Sequence, residues 1–238
     1  MMTMNVGAEH TVKAFDDEIG RLRGLISEMG GHAEAAIAGA MDVLVRRDLP
    51  GSQIIVENDR KIDALETEVE RLAVQIIALR APMADDLREV VAALKIAGVV
   101  ERIGDYAKNI AKRVAVLEGR RKIEAMSVLV AMSQIASEMV HDVLDAFAAR
   151  DVDKAIAVVE RDKAVDDFYN SVFRMLVTFM MENPQSISNA AHLLFIAKNL
   201  ERIGDHATNV AEMVYFAATG DHMAERERID SLLGEERV

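Results

Sequence analysis

A chain of 238 residues and 26.2 kDa has room for one large domain or two of ordinary size. It is 51% hydrophobic but only 4% aromatic, with no Trp, 3 Pro and 14 Met, a composition that suits close-packed helices and argues against an all-β architecture. Lys and Arg number 28 against 40 Asp and Glu, and the resulting net charge of -12 repels phosphate backbones, which excludes nucleic acid and favours cations or basic protein surfaces as partners.

The absence of Cys removes disulfides, thiolate metal sites, the usual iron–sulfur clusters and cysteine nucleophiles together. Any metal must therefore be held by oxygen or imidazole. Met1 to Thr11 shows no basic stretch followed by an apolar one, and no window reaches about 18 consecutive apolar residues, so the expected location is the cytoplasm.

In chain order, sparse Gly and Pro separate long stretches with apolar residues at three- and four-residue spacing, which predicts helices over 11–47, 52–80, 84–118, 121–149, 153–182 and 186–218. The Gly30-Gly31 pair is an expected kink or break in the first. Ser52 and either Asp151 or Asp153 are suited to cap helix N-termini, while Gly119 and Gly220 are expected stop signals. The segment 221–238 is charged and is expected to form a loose tail.

Internal repetition organises these elements. Glu101-Arg102-Ile103-Gly104-Asp105 recurs as Glu201-Arg202-Ile203-Gly204-Asp205, followed in both copies by Ala and Asn (Ala107, Asn109; Ala207, Asn209). Upstream, Arg47-Asp48 matches Arg150-Asp151, and Asp59 and Asp63 match Asp162 and Asp166. The spacing between copies shortens across Pro82 and Pro184, where a helical hairpin tolerates a length change. The fold class is therefore all-α: two tandem, sequence-related antiparallel three-helix bundles, residues 8–118 and 120–220, joined near Gly119 to Ile123.

On the third helix Ala93, Ile96, Val100, Ile103, Ala107, Ile110, Val114 and Leu117 make an apolar seam, and Glu101 and Asp105 project from the opposite side. On the second, Ile55, Ile62, Leu65, Val69, Leu72, Ile76 and Leu79 form the seam, flanked by Asp59 and Asp63. Asp59 and Asp63 lie as far before Pro82 as Glu101 and Asp105 lie after it, and the second repeat shows the same symmetry about Asn183-Pro184. Antiparallel helices then bring four carboxylates of each repeat to one level, about 30 Å from the turn, close enough for side chains to converge on a cation.

Four crowded carboxylates repel unless neutralised, and without Cys the natural neutraliser is a hard cation or an oxygen-liking iron or manganese centre. Arg102 and Arg202 are the alternative source of positive charge, and a plain solvated acidic surface is the alternative to any site. Gly104 and Gly204, costly inside a helix, imply either close helix packing or the approach of a ligand. Glu138-x-x-His141 has the spacing of bundle di-iron ligands, but its repeat-equivalent positions are Ala35 and Ala38. The methionine-rich stretch from Met175 to Met181, with Phe173 and Phe179, is expected in the core. No zincin spacing, phosphate loop or nucleophile elbow is present, so the chain is not expected to be an enzyme.

The doubled Glu-Arg-Ile-Gly-Asp with its following Asn, the Asp-x-x-x-Asp before it, and the opening His10 to Glu18 with Met29-Gly30 resemble the PhoU family over residues 10–220. The resemblance implies two three-helix bundles carrying surface multinuclear metal clusters, commonly iron, with Mg, Mn, Ca or Zn as alternatives. Carried onto this sequence, the ligands are Asp59, Asp63, Glu101 and Asp105 in one site and Asp162, Asp166, Glu201 and Asp205 in the other, with Asn109 and Asn209 as weaker candidates. The implied role is repression of the phosphate-starvation response through the phosphate-specific ABC transporter and its sensor histidine kinase, by peripheral association with that membrane complex, as a monomer or a homodimer. The copies differ nearby, at Tyr106 against His206, Lys108 against Thr208 and Glu66 against Tyr169, which implies unequal sites. A rival function is a carboxylate-bridged metalloenzyme acting on phosphate esters or oxygen.

Overall fold

The structure, a computed structural model, describes residues 6–117 and 125–223. Six long α-helices carry these residues: α1 (Val6–Arg46), α2 (Leu49–Arg80), α3 (Asp85–Ala111), α4 (Ala125–Ala149), α5 (Val152–Glu182) and α6 (Ile187–Thr219). Short 3-10 turns extend α3 (Lys112–Ala115) and precede α6 (Pro184–Ser186). The expected linker at 119–123, including the Gly119 stop, and the tail beyond 223 lie outside the described residues. No helix of the described residues is long and apolar enough to cross a membrane.

Helices α1, α2 and α3 pack on one another, as do α4, α5 and α6, giving two three-helix bundles. The bundles join through α3 against α6 and α1 against α4. The central pair runs antiparallel: Arg113 near the end of α3 lies 3.7 Å over the Phe195 ring near the start of α6, while Arg88 near the start of α3 sits beside Gly220 at the end of α6. Between these contacts the Tyr106 and His206 rings meet edge-on at 5.2 Å, so the two copies of the repeated motif face each other across the crossing. A second tie is Glu89 of α3, 4% exposed, which takes Arg23 Nε of α1 at 2.5 Å and pairs with Arg150 beyond α4.

The α3 seam is buried as its spacing requires, with Leu117 at its end only partly covered. Ile62, Val69, Leu72 and Ile76 of α2 are buried too, but Leu79 is 69% exposed. Of the methionine-rich stretch on α5, Met175, Phe179 and Met180 pack on the core, whereas Phe173 and Met181 are exposed.

Three local expectations change. The first helix does not break at Gly30-Gly31: α1 is continuous, and a Cβ at Gly30 would collide with Leu144 of α4, so this glycine serves the closeness of the two bundles. The cap of α2 is Asp48 rather than Ser52; its carboxylate accepts from Gly51 N at 3.0 Å, and the Ser52 hydroxyl donates to Leu49 O at 2.7 Å inside the first turn. The packed chain also runs past Gly220, since His222 stacks on Phe216 and Met223 is buried.

The Arg-Asp pairs repeated in sequence are one turn used twice. Arg47 and Arg150 take left-handed backbone angles (φ 58 and 54), and Asp48 N and Asp151 N each bond a carbonyl five residues back at 2.9 Å, Val43 O and Ala146 O. That closes one helix with a Schellman turn, and the same aspartate caps the next. Asp151 accepts from Lys154 N at 2.9 Å as Asp48 does from Gly51 N. Replacing either aspartate by Ala should cost about 1 kcal/mol by urea denaturation, with no loss of helical signal before the transition.

Candidate functional site

A close approach of α2 to α3 at Gly104 fixes the first cluster. At Gly104 an added Cβ would lie 2.7 Å from Ile62 Cδ1 and 3.2 Å from Asp59 Oδ1. At Gly204 the corresponding neighbours are Asp162 Oδ1 at 3.0 Å and Val165 Cγ1 at 3.3 Å. Both motif glycines thus serve close packing, and at each the first aspartate of the Asp-x-x-x-Asp pair packs beside an apolar side chain, Asp59 with Ile62 and Asp162 with Val165. The hairpin register expected from Pro82 and Pro184 is the register found.

The carboxylates do not all point outward. Asp59 is buried at 6%, the Glu101 and Glu201 side chains are 20% and 13% exposed, and Asp105 and Asp205 are 26% and 37% exposed. Only Asp63 and Asp166 are exposed residues, at the rim. Helical arithmetic placed the acids opposite one seam, but the neighbouring helix covers that flank, so they lie along the α2–α3 and α5–α6 grooves. Asn109 is half-buried and Asn209 exposed, and neither bonds to the acids among the described residues. As the side chains stand, no three His, Cys, Asp or Glu among the described residues converge tightly enough to hold an ion.

Their charges are nevertheless shared. Burial, then the charge of Asp105, raises the Glu101 carboxyl above its ordinary range, and Glu66 and Asp63 add to the effect. Glu66, named in the sequence only as a difference from Tyr169, is a further member of the first cluster: its own carboxyl is raised by burial and by Glu70 and Asp63. In the second cluster burial is again the largest cause, and with Asp166, Asp205 and Glu201 it pushes Asp162 up to about 6.

Positive charge is distributed unequally. In the first cluster Lys108 Nζ donates to both Asp59 Oδ2 and Asp105 Oδ1, bridging α2 and α3. Burial alone would lower that ammonium, but its two carboxylate bonds outweigh burial and hold it above the ordinary lysine value. Arg102 adds looser contacts, 3.5 Å to Glu101 and 3.6 Å to Asp105. In the second cluster Thr208 replaces the lysine and bonds the Asp205 main-chain oxygen at 2.7 Å. Lys198 pairs with Glu201 Oε1 at 2.5 Å and lies 5.3 Å over the Tyr169 ring, and Arg202 stands 3.8 Å from Asp205. Glu201 Oε2 is buried without a partner. Burial also lowers the His206 imidazole below its ordinary value. The Glu138-x-x-His141 pair joins neither cluster; His141 Nδ1 contacts Glu34 Oε2 of α1 at 3.2 Å.

Two stretches, residues 26–114 and 129–214, match the PhoU domain, one for each bundle. The chain belongs to the PhoU family. It is 57% identical over 227 residues, 95% of this chain and 96% of the relative, to a "phosphate-specific transport system accessory protein PhoU homolog" from Zymomonas mobilis. A protein of the same description from Caulobacter vibrioides is 46% identical over 94% of this chain and 98% of its own. The fold is similar to the crystal structure of PhoU from Pseudomonas aeruginosa, with a TM-score of 0.82, 36% identity, and coverage of 87% of this chain and 100% of that one. The matched PhoU stretches contain every candidate ligand.

The unequal balance has opposite consequences for buried Asp59 and half-buried Asp162. Asp162, raised from 3.8 to about 6, binds a proton more tightly in the fold than in the unfolded chain. It therefore withdraws stability as pH rises through that window. With chelator present, Asp162→Asn should raise the urea midpoint at pH 7 and match the parent below pH 4. Asp59→Asn should lower the midpoint at pH 7, because it weakens a partner of Lys108.

Proposed function

We propose that the chain is a cytoplasmic, non-catalytic regulator of phosphate uptake and phosphate-starvation signalling. It acts as an adaptor between the phosphate-specific ABC transporter and its sensor histidine kinase, and it holds the starvation response off when phosphate is plentiful. The observation that carries this reading is near full-length similarity to proteins named as accessory to phosphate-specific transport. The net charge of -12 suits a basic docking face on such partners.

The proposal includes a cation at the carboxylate clusters, iron foremost by family resemblance. The donor set of the second cluster fits one: its oxygens suit hard or borderline divalent ions, Glu201 Oε2 is buried with no partner, and the residues holding it would be Asp162, Asp166, Glu201 and Asp205. A bound cation would supply the positive charge that lets these acids stay ionised together. In the first cluster, Asp59, Asp63, Glu101 and Asp105 would take that role, with the Lys108 ammonium standing between Asp59 and Asp105.

The test is made in cells lacking this chain. Phosphate-starvation genes should be expressed in phosphate-rich medium and fall silent again when the intact chain is restored. The double variant Glu201→Gln, Asp205→Asn should accumulate to normal levels yet restore repression poorly. Normal repression without the chain would overturn the regulatory role.

A further inference from the structure

We propose that Lys108 is the resident cation of the first cluster, so that divalent-ion loading in this protein is one-sided, with the second cluster filling first. This rests on the cation reading of the clusters and assigns them different duties. The inference comes from the place Lys108 occupies. Its Nζ touches Asp59 of α2 and Asp105 of α3 together, the bridging position an ion between those helices would take. The side chain is 20% exposed, and it is anchored on the same helix three residues from Asp105.

The second cluster offers no such bridge. Its equivalent residue, Thr208, spends its hydroxyl on the Asp205 carbonyl and offers nothing to Asp162. Among the described residues no Lys, Arg or His pairs with Asp162 or Asp166, since Lys198 engages Glu201 and Arg202 engages Asp205. Glu201 Oε2 is left buried and unpartnered.

An ion entering the first cluster must expel Lys108 and break both of its charge-assisted bonds, while one entering the second displaces no side-chain cation from Asp162. Loss of a single charge-assisted bond already corresponds to about tenfold in affinity. The first cluster should thus bind at least about tenfold more weakly, and its lysine keeps α2 fastened to α3 whether or not metal is present. The second α5–α6 groove is the half whose charge balance responds to the ion. Because the two motifs meet at Tyr106 and His206, that response arises at the contact between the bundles.

The experiment titrates the full chain, stripped with chelator, with Mn2+ and follows free ion by electron paramagnetic resonance. Helicity is checked for each variant. The wild type should show tight uptake that Asp205→Asn abolishes and Asp105→Asn leaves intact. Lys108→Thr should add a second tight uptake, and Lys108→Met, which keeps the aliphatic stem, should do the same. Thr208→Lys should weaken the original uptake by about tenfold or more. Equal tight uptake at both clusters in the wild type, unchanged by either Lys108 variant, would overturn the one-sided assignment while leaving the cation reading standing. No Mn2+ uptake by any variant would overturn the cation reading and this inference with it.

Discussion

Where two helices touch at a glycine, the first atom of the neighbour to arrive normally belongs to an apolar side chain. At Gly104 and Gly204 a carboxylate arrives as well, and that contact governs the rest of the structure. It fixes the height of α2 on α3 and of α5 on α6, draws one aspartate of each hairpin out of water, and brings it under the Glu and Asp that flank the glycine. Burial and like charge both penalise ionised carboxylates. Each half must therefore find positive charge, accept protons or lose stability.

The halves resolve this differently although they descend from one pattern. The first buries an ammonium between Asp59 and Asp105 and is balanced at its centre. The second keeps its cations toward Glu201 and Asp205 and leaves Asp162 raised and Glu201 Oε2 without a partner. A duplicated fold thereby acquires one static half and one half whose charge is open to adjustment. The α3–α6 crossing sets Tyr106 and His206, the residues after each final motif aspartate, against each other.

Much of this was legible in the sequence because helical period and duplication constrain geometry independently. The six helices, the turns at Pro82 and Pro184 and the common level of the acids follow from spacing alone. Burial of Asp59 was not legible, since the angle from one seam says nothing about a neighbour covering the flank. The need for glycine at position 30 comes from Leu144 in the other bundle, and the Glu89 tie joins three distant segments; neither leaves a local signal. Two features could have been found. Asp151 as a cap predicts Asp48 by repeat equivalence, and Lys108, three residues after Asp105 and level with Asp59, sits where a bridging cation belongs.

The proposed metal ion at the duplicated acids is open to direct measurement. Elemental analysis of the full-length chain, purified without chelator beside its Glu201→Gln, Asp205→Asn variant, tests it most directly. A transition metal, iron foremost, should co-purify with the wild type and fall in the variant at unchanged helicity. Metal content that is the same in both proteins, or absent from the wild type even after incubation with ferrous or manganous ion, would contradict it.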